Sequence, residues 1–239
     1  MKKGIVTTVI AISFFLSAFL TSTVMAGTWG LGVIGTGTHV SASGSETEGG
    51  GDTEKTTADE DHNAGMASIF AEYTLGESHG HGFTFGVSFS PMKAQIGART
   101  RADTQTTEDA ADTLGGSDDS GTYSAKANVS NLTTLYVEPT LMWNNLGVFL
   151  KGGLARIKIE SLENINLGED SSVYPDEWAN GLLLGIGLTN RFDSGLFYKL
   201  EAVRISYEEI SMTSTSGNKN VIAASTDQTS ANFAIGYRF

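Results

Sequence analysis

Residues 177–192 read EWANGLLLGIGLTNRF. In an extended chain, alternate residues face opposite ways. Trp178, Leu182, Leu184, Ile186, Leu188 and Phe192 therefore share one side. Glu177, Ala179, Gly181, Gly185, Gly187, Thr189 and Arg191 share the other, with Leu183 as the one apolar exception. The large face is continuous and carries an aromatic residue at each end. From Trp178 to Phe192 the strand climbs about 35 Å, taking ~3.3 Å per residue and a tilt near 40°. That slightly exceeds a hydrocarbon core, as two aromatic girdles require.

The same period of two recurs along the chain. TTLYVEPTLMW sets Leu135, Val137, Pro139, Leu141 and Trp143 against Thr134, Tyr136, Glu138, Thr140 and Met142. GFTFGVSFSP, ASIFAEYTL and WGLGVIG alternate in the same way. Eight such segments are predicted, at about 27–44, 63–76, 82–100, 122–143, 146–163, 177–192, 196–215 and 221–239. The final stretch, ANFAIGYRF, puts Phe233, Ile235, Tyr237 and Phe239 on one face. A chain that closes on its most apolar strand face needs something apolar to cover it.

The beginning of the chain bears on compartment. Lys2 and Lys3 precede an apolar run from about Ile5 to Leu20, then Val24-Met25-Ala26, a small-x-small pattern. These are the parts of a secretory signal peptide, expected to be cleaved after residue 26 and to leave 27–239 as the working domain. There is no cysteine, so disulfides and thiolate metal sites are excluded. No stretch after residue 26 is apolar for long enough to span a membrane as a helix.

The connections alternate in character. GESHGHG, Asn144-Asn145 and Asp193-Ser194-Gly195 are short. The others are mostly long and polar: 45–61 holds seven acids and one lysine, and 101–121 holds six acids and one arginine. Short turns at one end, long polar connections at the other and an even strand count predict an all-β fold: an eight-stranded antiparallel up-and-down transmembrane β-barrel. In lipid every backbone polar group needs a partner, and closure of the ring supplies one. A lipocalin-type soluble barrel would need its large face inside, leaving the glycine- and serine-rich faces to water.

The chain resembles the small eight-stranded outer-membrane barrels of the OmpA-like family. The resemblance covers the barrel domain only and leaves no residues for a periplasmic domain. In that family a last strand ending in Phe is the signal read by the barrel-assembly machinery, and Phe233, Ile235, Tyr237 and Phe239 fit that alternation. The signal often has glycine where Ala234 stands. The resemblance implies a Gram-negative outer membrane, contact with lipid and lipopolysaccharide, and a monomer.

Alternation points Glu72, Glu138, Lys151, Arg191, Lys199, Glu201 and Arg238 into the barrel. An eight-stranded lumen is barely wider than its own side chains, so these charges must pair. If Asn144-Asn145 forms a two-residue turn, Trp143 faces Leu146, and the same register brings Glu138 opposite Lys151. Such a network is either a structural plug or an ion path. The acidic connections argue against nucleic acid and carry no EF-hand spacing. His79 and His81 sit on a glycine-rich turn, a poor metal site. His39 and His62 fall near the outer rim, with Asp61 beside His62. Lipid-A-modifying small barrels use a histidine with serine or acid there, but no Gly-x-Ser-x-Gly element accompanies these two. The expectation is a non-enzymatic surface barrel without cofactor or metal, structural or interaction-mediating through its acidic loops. The alternatives are a narrow pore and, after it, a lipid-modifying enzyme.

Overall fold

The computed structural model describes residues 27–47, 55–76, 80–103, 121–165, 174–215 and 219–239. The expected signal peptide lies outside them. Ten strands are present: β1 (Thr28–Thr47), β2 (Lys55–Leu75), β3 (His81–Ser90), β4 (Ala94–Asp103), β5 (Gly121–Trp143), β6 (Leu146–Ile165), β7 (Glu177–Arg191), β8 (Leu196–Tyr207), β9 (Ile210–Thr213) and β10 (Val221–Arg238). They form eight staves, because β3 and β4 continue one another past Pro91, and β8 and β9 past Glu208-Glu209. All neighbours are antiparallel, and β1 pairs with β10 to close the ring.

The register fixes the barrel's shape. A walk across partners from Trp143 passes Leu146, Asn190, Tyr198, Ile235, Val33, Ile69 and Phe89. It returns to β5 at Thr133, ten residues from its start. Eight staves with this stagger tilt by about 41°, for ~3.3 Å per residue and ~4.8 Å between strands. The turns follow from their residues. Asn144 sits at φ 54° in the turn between β5 and β6. Gly195 sits at φ 90° between β7 and β8, and a Cβ there would lie 2.7 Å from the Arg238 carbonyl oxygen.

The strands are about twice as long as a membrane needs. A transmembrane strand takes roughly 9–11 residues, whereas β5 has 23 and β1 has 20. Nearer the short turns the outer surface is apolar. Leu135, Leu141, Leu150, Leu154 and Leu184 are each about 60 % exposed, and Trp29, Trp143, Tyr237 and Phe239 ring the lower edge. Farther up, the faces exchange character. On β6 the outward residues become Arg156, Lys158 and Glu160, while Ala155, Ile157 and Ile159 turn inward and are buried. On β8 the outward residues become Arg204 and Ser206, while Val203 and Ile205 are buried inside. Residues from both walls, among them Val40, Met66, Val129, Leu183 and Met212, complete an apolar core above the belt.

This corrects three expectations. Leu183 is not an intruder on a polar face but part of that upper core. The segment 45–61 is not wholly a loop, since Ser45–Thr47 pair with Lys55–Thr57 and the ladder continues through Asp59, Glu60 and Asp61. Only 48–54 fall outside the described residues there, and only 104–120 of the second acidic stretch. The apolar belt is also shorter than the Trp178–Phe192 span. Trp178 lies above it, with the Arg156 guanidinium 4.8 Å from its ring centre.

The upper wall also divides along two seams. The β2–β3 ladder ends at Ile69–Phe89, and β4 pairs with β5. The β7–β8 ladder ends at Gly181–Tyr207, and β9 pairs with β10. The second seam is fastened where Asn180 Nδ2 donates to Glu208 Oε1 at 2.6 Å and Glu208 N donates to the Asn180 carbonyl at 2.8 Å. At the top, Tyr174 Oη and Asn220 Nδ2 both donate to Glu46 Oε1 at 3.1 Å.

Candidate functional site

Two places on the barrel bring chemistry-bearing side chains together. The first is the lumen at belt height. Lys199 Nζ lies 2.5 Å from Glu72 Oε1 and 2.6 Å from Glu138 Oε2. Lys151 Nζ lies 3.1 Å from Glu138 Oε1 and 3.0 Å from both oxygens of Glu201. Asn232 Nδ2 donates to Glu201 Oε2 at 3.1 Å. The order is thus Glu72–Lys199–Glu138–Lys151–Glu201, all five groups buried. The β5–β6 ladder runs at the register that Asn144-Asn145 implies, with Trp143 opposite Leu146. What the sequence did not reveal is that Glu138 is shared between two lysines and that Lys151 holds Glu201 equally well. Those partners come from β8, whose register to β6 passes through β7.

Aromatic rings fill the space around the charges. Lys151 Nζ sits 3.8 Å over the Tyr136 ring, and Lys199 Nζ sits 5.3 Å from the Phe149 ring centre. Phe70 and Phe197 pack edge to face at 6.0 Å. The Tyr136 ring lies over Gly86, where a Cβ would approach it to 2.2 Å. Arg191 and Arg238 lie toward the short-turn end and line a cavity with Glu72, Thr74 and Lys199. Above the charges, Ser88–Thr134 and Thr38–Ser230 hydroxyl pairs (2.7 and 2.9 Å) lead up to the apolar core. The sequence signal for the plug was present in part: Phe149 and Phe197 are large residues on otherwise small or charged faces.

The second place is the outer wall of β1 and β2, just above the belt. His39 pairs across the ladder with Asn63, and Ser41 with Asp61, and all four side chains face outward. His39 Nδ1 is 2.9 Å from Asn63 Oδ1, and Ser41 Oγ is 3.4 Å from His39 Nε2. Asp61 Oδ1 lies 3.7 Å from the same Nε2. Asp61 therefore serves His39; His62, on the opposite parity, faces inward. His39 and Asn63 are 24 residues apart, and only the β1–β2 register brings them together.

Several other rim charges pair with one another. Lys158 Nζ lies 2.6 Å from Asp176 and 3.6 Å from Glu160, and Glu160 also holds Lys93. The Asp176 contact pushes the Lys158 ammonium above its ordinary range, and Lys93 holds the Glu160 carboxyl below its own. His81 opens β3 and is exposed, while His79 lies outside the described residues. Among the described residues, no group of three or more His, Asp or Glu is placed to hold a metal.

No family model matches the chain, and no curated protein sequence does. Several solved structures share its general arrangement. Ail, the attachment invasion locus protein of Yersinia pestis, in complex with the heparin analogue sucrose octasulfate, is 9 % identical with a TM-score of 0.38, covering 86 % of this chain and 99 % of that one. Neisserial surface protein A is 9 % identical with a TM-score of 0.32, covering 83 % and 96 %. The translocator domain of the autotransporter NalP from Neisseria meningitidis is 13 % identical with a TM-score of 0.34, covering 98 % and 95 %. Superpositions this loose carry no argument of their own; the ladders and surfaces described above do. A closed antiparallel ring with an apolar, aromatic-edged belt outside and paired charges inside is a small transmembrane β-barrel of the outer-membrane type.

Proposed function

We propose that this protein is an integral outer-membrane barrel with a closed, structural lumen, which acts through its outer wall and the upper extension rather than as a pore. The observation that carries this reading is the filling of the lumen at two successive levels. The Glu72–Lys199–Glu138–Lys151–Glu201 chain and its aromatic packing occupy the belt, and the apolar core occupies the space above. An ion crossing this path would have to separate buried pairs and then enter hydrocarbon-like packing, and both steps are costly.

Export through cleavage at residue 26, recognition of Phe233, Ile235, Tyr237 and Phe239 by the assembly machinery, contact with lipopolysaccharide and a monomeric state belong to the same proposal. The acidic upper strands and the connections beyond them would present the interaction surface. The test is a planar-bilayer recording on refolded protein. Silence at moderate voltage is expected; sustained, reproducible channel steps would overturn the closed-lumen reading in favour of a pore. A further reading, action on lipid, is favoured by the imidazole–hydroxyl arrangement on the outer wall.

A further inference from the structure

We propose that Ser41, His39 and Asn63 form a serine hydrolase site on the outside of the barrel, acting on long-chain carboxylic esters of outer-leaflet lipid. This rests on the outward-facing membrane placement of β1 and β2 and not on the closed lumen. A conducting barrel would leave it standing.

The arrangement has the geometry of a nucleophile, a base and a group that orients the base. With the imidazole proton on Nδ1, that nitrogen donates to Asn63 Oδ1 at 2.9 Å. Nε2 is then free to accept the Ser41 proton across 3.4 Å, a spacing common before substrate tightens a site. The Asp61 carboxylate lies 3.7 Å from the same Nε2, on the Ser41 side of the ring. Position comes from the fold: His39 and Ser41 are two apart on one strand, and Asn63 is the direct cross-strand partner of His39. No loop has to order itself to assemble the three residues.

The surroundings supply a place for an acyl chain. His39 stands ten residues above Trp29, or about 25 Å up the membrane normal, which is the height of the apolar band in such barrels. Ester groups of outer-leaflet lipids lie at that level. Directly beneath, the outward wall is nearly bare: Gly37 faces Gly65 and Gly35 faces Ala67 across the ladder. A Cβ at Gly37 or Gly65 would meet nothing within 4 Å. Phe233 of β10, opposite Gly35, flanks this trough on one side. Exposed Met92, whose Sδ accepts from Ala67 N at 3.0 Å, flanks it on the other. The trough runs from lipid-covered wall up to Ser41, so a chain lying in it brings its ester to the hydroxyl.

In the reaction, Ser41 Oγ attacks the ester carbonyl as His39 Nε2 takes its proton. The carbon–oxygen bond to the alcohol breaks, and the alcohol leaves with that proton. Water, deprotonated by the same nitrogen, then cleaves the acyl-serine. The carboxylic acid is released and both side chains return to their starting states. No redox partner is needed.

The experiment uses full-length protein expressed to the outer membrane and purified folded in detergent. It is presented with phosphatidylethanolamine mixed micelles in one arm and lipopolysaccharide micelles in the other, each in calcium and in chelator. Fatty acid release is expected in at least one arm, and the arm identifies the lipid class. Ser41→Ala and His39→Ala should lower it on the order of a thousandfold or to background, whereas Ser43→Ala, on the same face, should not. Independently, a long-chain fluorophosphonate should add to Ser41, located by mass spectrometry. Addition should slow about tenfold or more in Asn63→Ala and recover partly in Asn63→Asp, as expected of a positioning residue. Release that persists in Ser41→Ala, or folded wild-type protein that neither releases fatty acid nor acquires the Ser41 adduct, overturns the proposal.

Discussion

The lower and upper halves of this barrel use the same backbone with opposite polarity. Around Lys151, the inside is charged and the outside is Leu150 and Leu154. Six residues later on the same strand, the inside is Ile157 and Ile159 and the outside is Arg156, Lys158 and Glu160. The lower half is a membrane barrel and the upper half a water-exposed sheet structure with its own apolar core. What changes between them is the solvent of the outer face. In lipid, Leu154 loses nothing by pointing outward, so polar groups can take the interior if they pair. In water, Ile157 must be covered, so the interior turns apolar. Strands of 20 residues and more follow, because the chain builds a second small core on top of the first.

The strongest way to break this comparison is to attack the lower interior. Lys151→Met leaves Glu138 with Lys199 but strands Glu201 with only Asn232. Stability of the refolded barrel should fall by about 3–5 kcal/mol, the usual result of leaving a buried charge without its partner. The register of β5 and β6 alone would name Glu138→Gln as the compensating change. The geometry names Glu201→Gln, because it removes the stranded charge and leaves Glu138–Lys199 intact. Urea titrations of the two double mutants decide. Better recovery by Glu138→Gln would contradict the chain of contacts described here.

A second substitution pair tests the exchange of faces itself. Ile157 is 3 % exposed and Leu154 is 62 % exposed, three residues away on the same strand. Ile157→Ala should cost about 2–4 kcal/mol, as in a water-soluble core. Leu154→Ala exchanges one lipid contact for another and should cost roughly 1 kcal/mol or less in lipid. Equal losses in lipid vesicles would mean that both residues see the same solvent, and the upper half would then be membrane-embedded.

Much of the lower half was legible in the sequence. Period-two alternation around Leu182–Leu188 and the Asn144-Asn145 turn are local signals, and they sufficed for the strand count and the β5–β6 register. The exchange of faces was not legible, because alternation has the same period whichever side faces lipid. In ARIKIE (residues 155–160) only knowledge of the solvent tells whether isoleucine points in or out. The acidic stretch around Asp59–Asp61 was read as loop for a related reason. Its strand character comes from pairing with β1 and from Ala64 and Met66 beneath it, not from its own composition. The outer-wall triad was hidden more deeply. Asp61 was read beside His62 and His39 was given no partner, since the sequence between Thr47 and Lys55 carries no short turn signal from which the β1–β2 register could be counted.

The smallest expected effect lies at the boundary between the halves. Trp178 is 40 % exposed, and the Arg156 guanidinium stacks 4.8 Å from its ring centre. Arg156 is the first outward charge above Leu154, so the pair marks where lipid contact ends on β6 and β7. A cation over an indole at a partly exposed site contributes about 0.5–1 kcal/mol. Trp178→Ala should therefore lower stability by about 1 kcal/mol, combining that loss with a modest loss of packing. Arg156→Ala should lose less, and the double mutant should fall short of the sum, because the shared contact can be lost only once. The same cycle run in detergent and in lipid vesicles locates the boundary. If the ring sits at the interface, lipid should raise the cost of Trp178→Ala, since indole favours that level of a bilayer. An unchanged cost would place Trp178 wholly in water, moving the boundary down to Leu154 and Leu182.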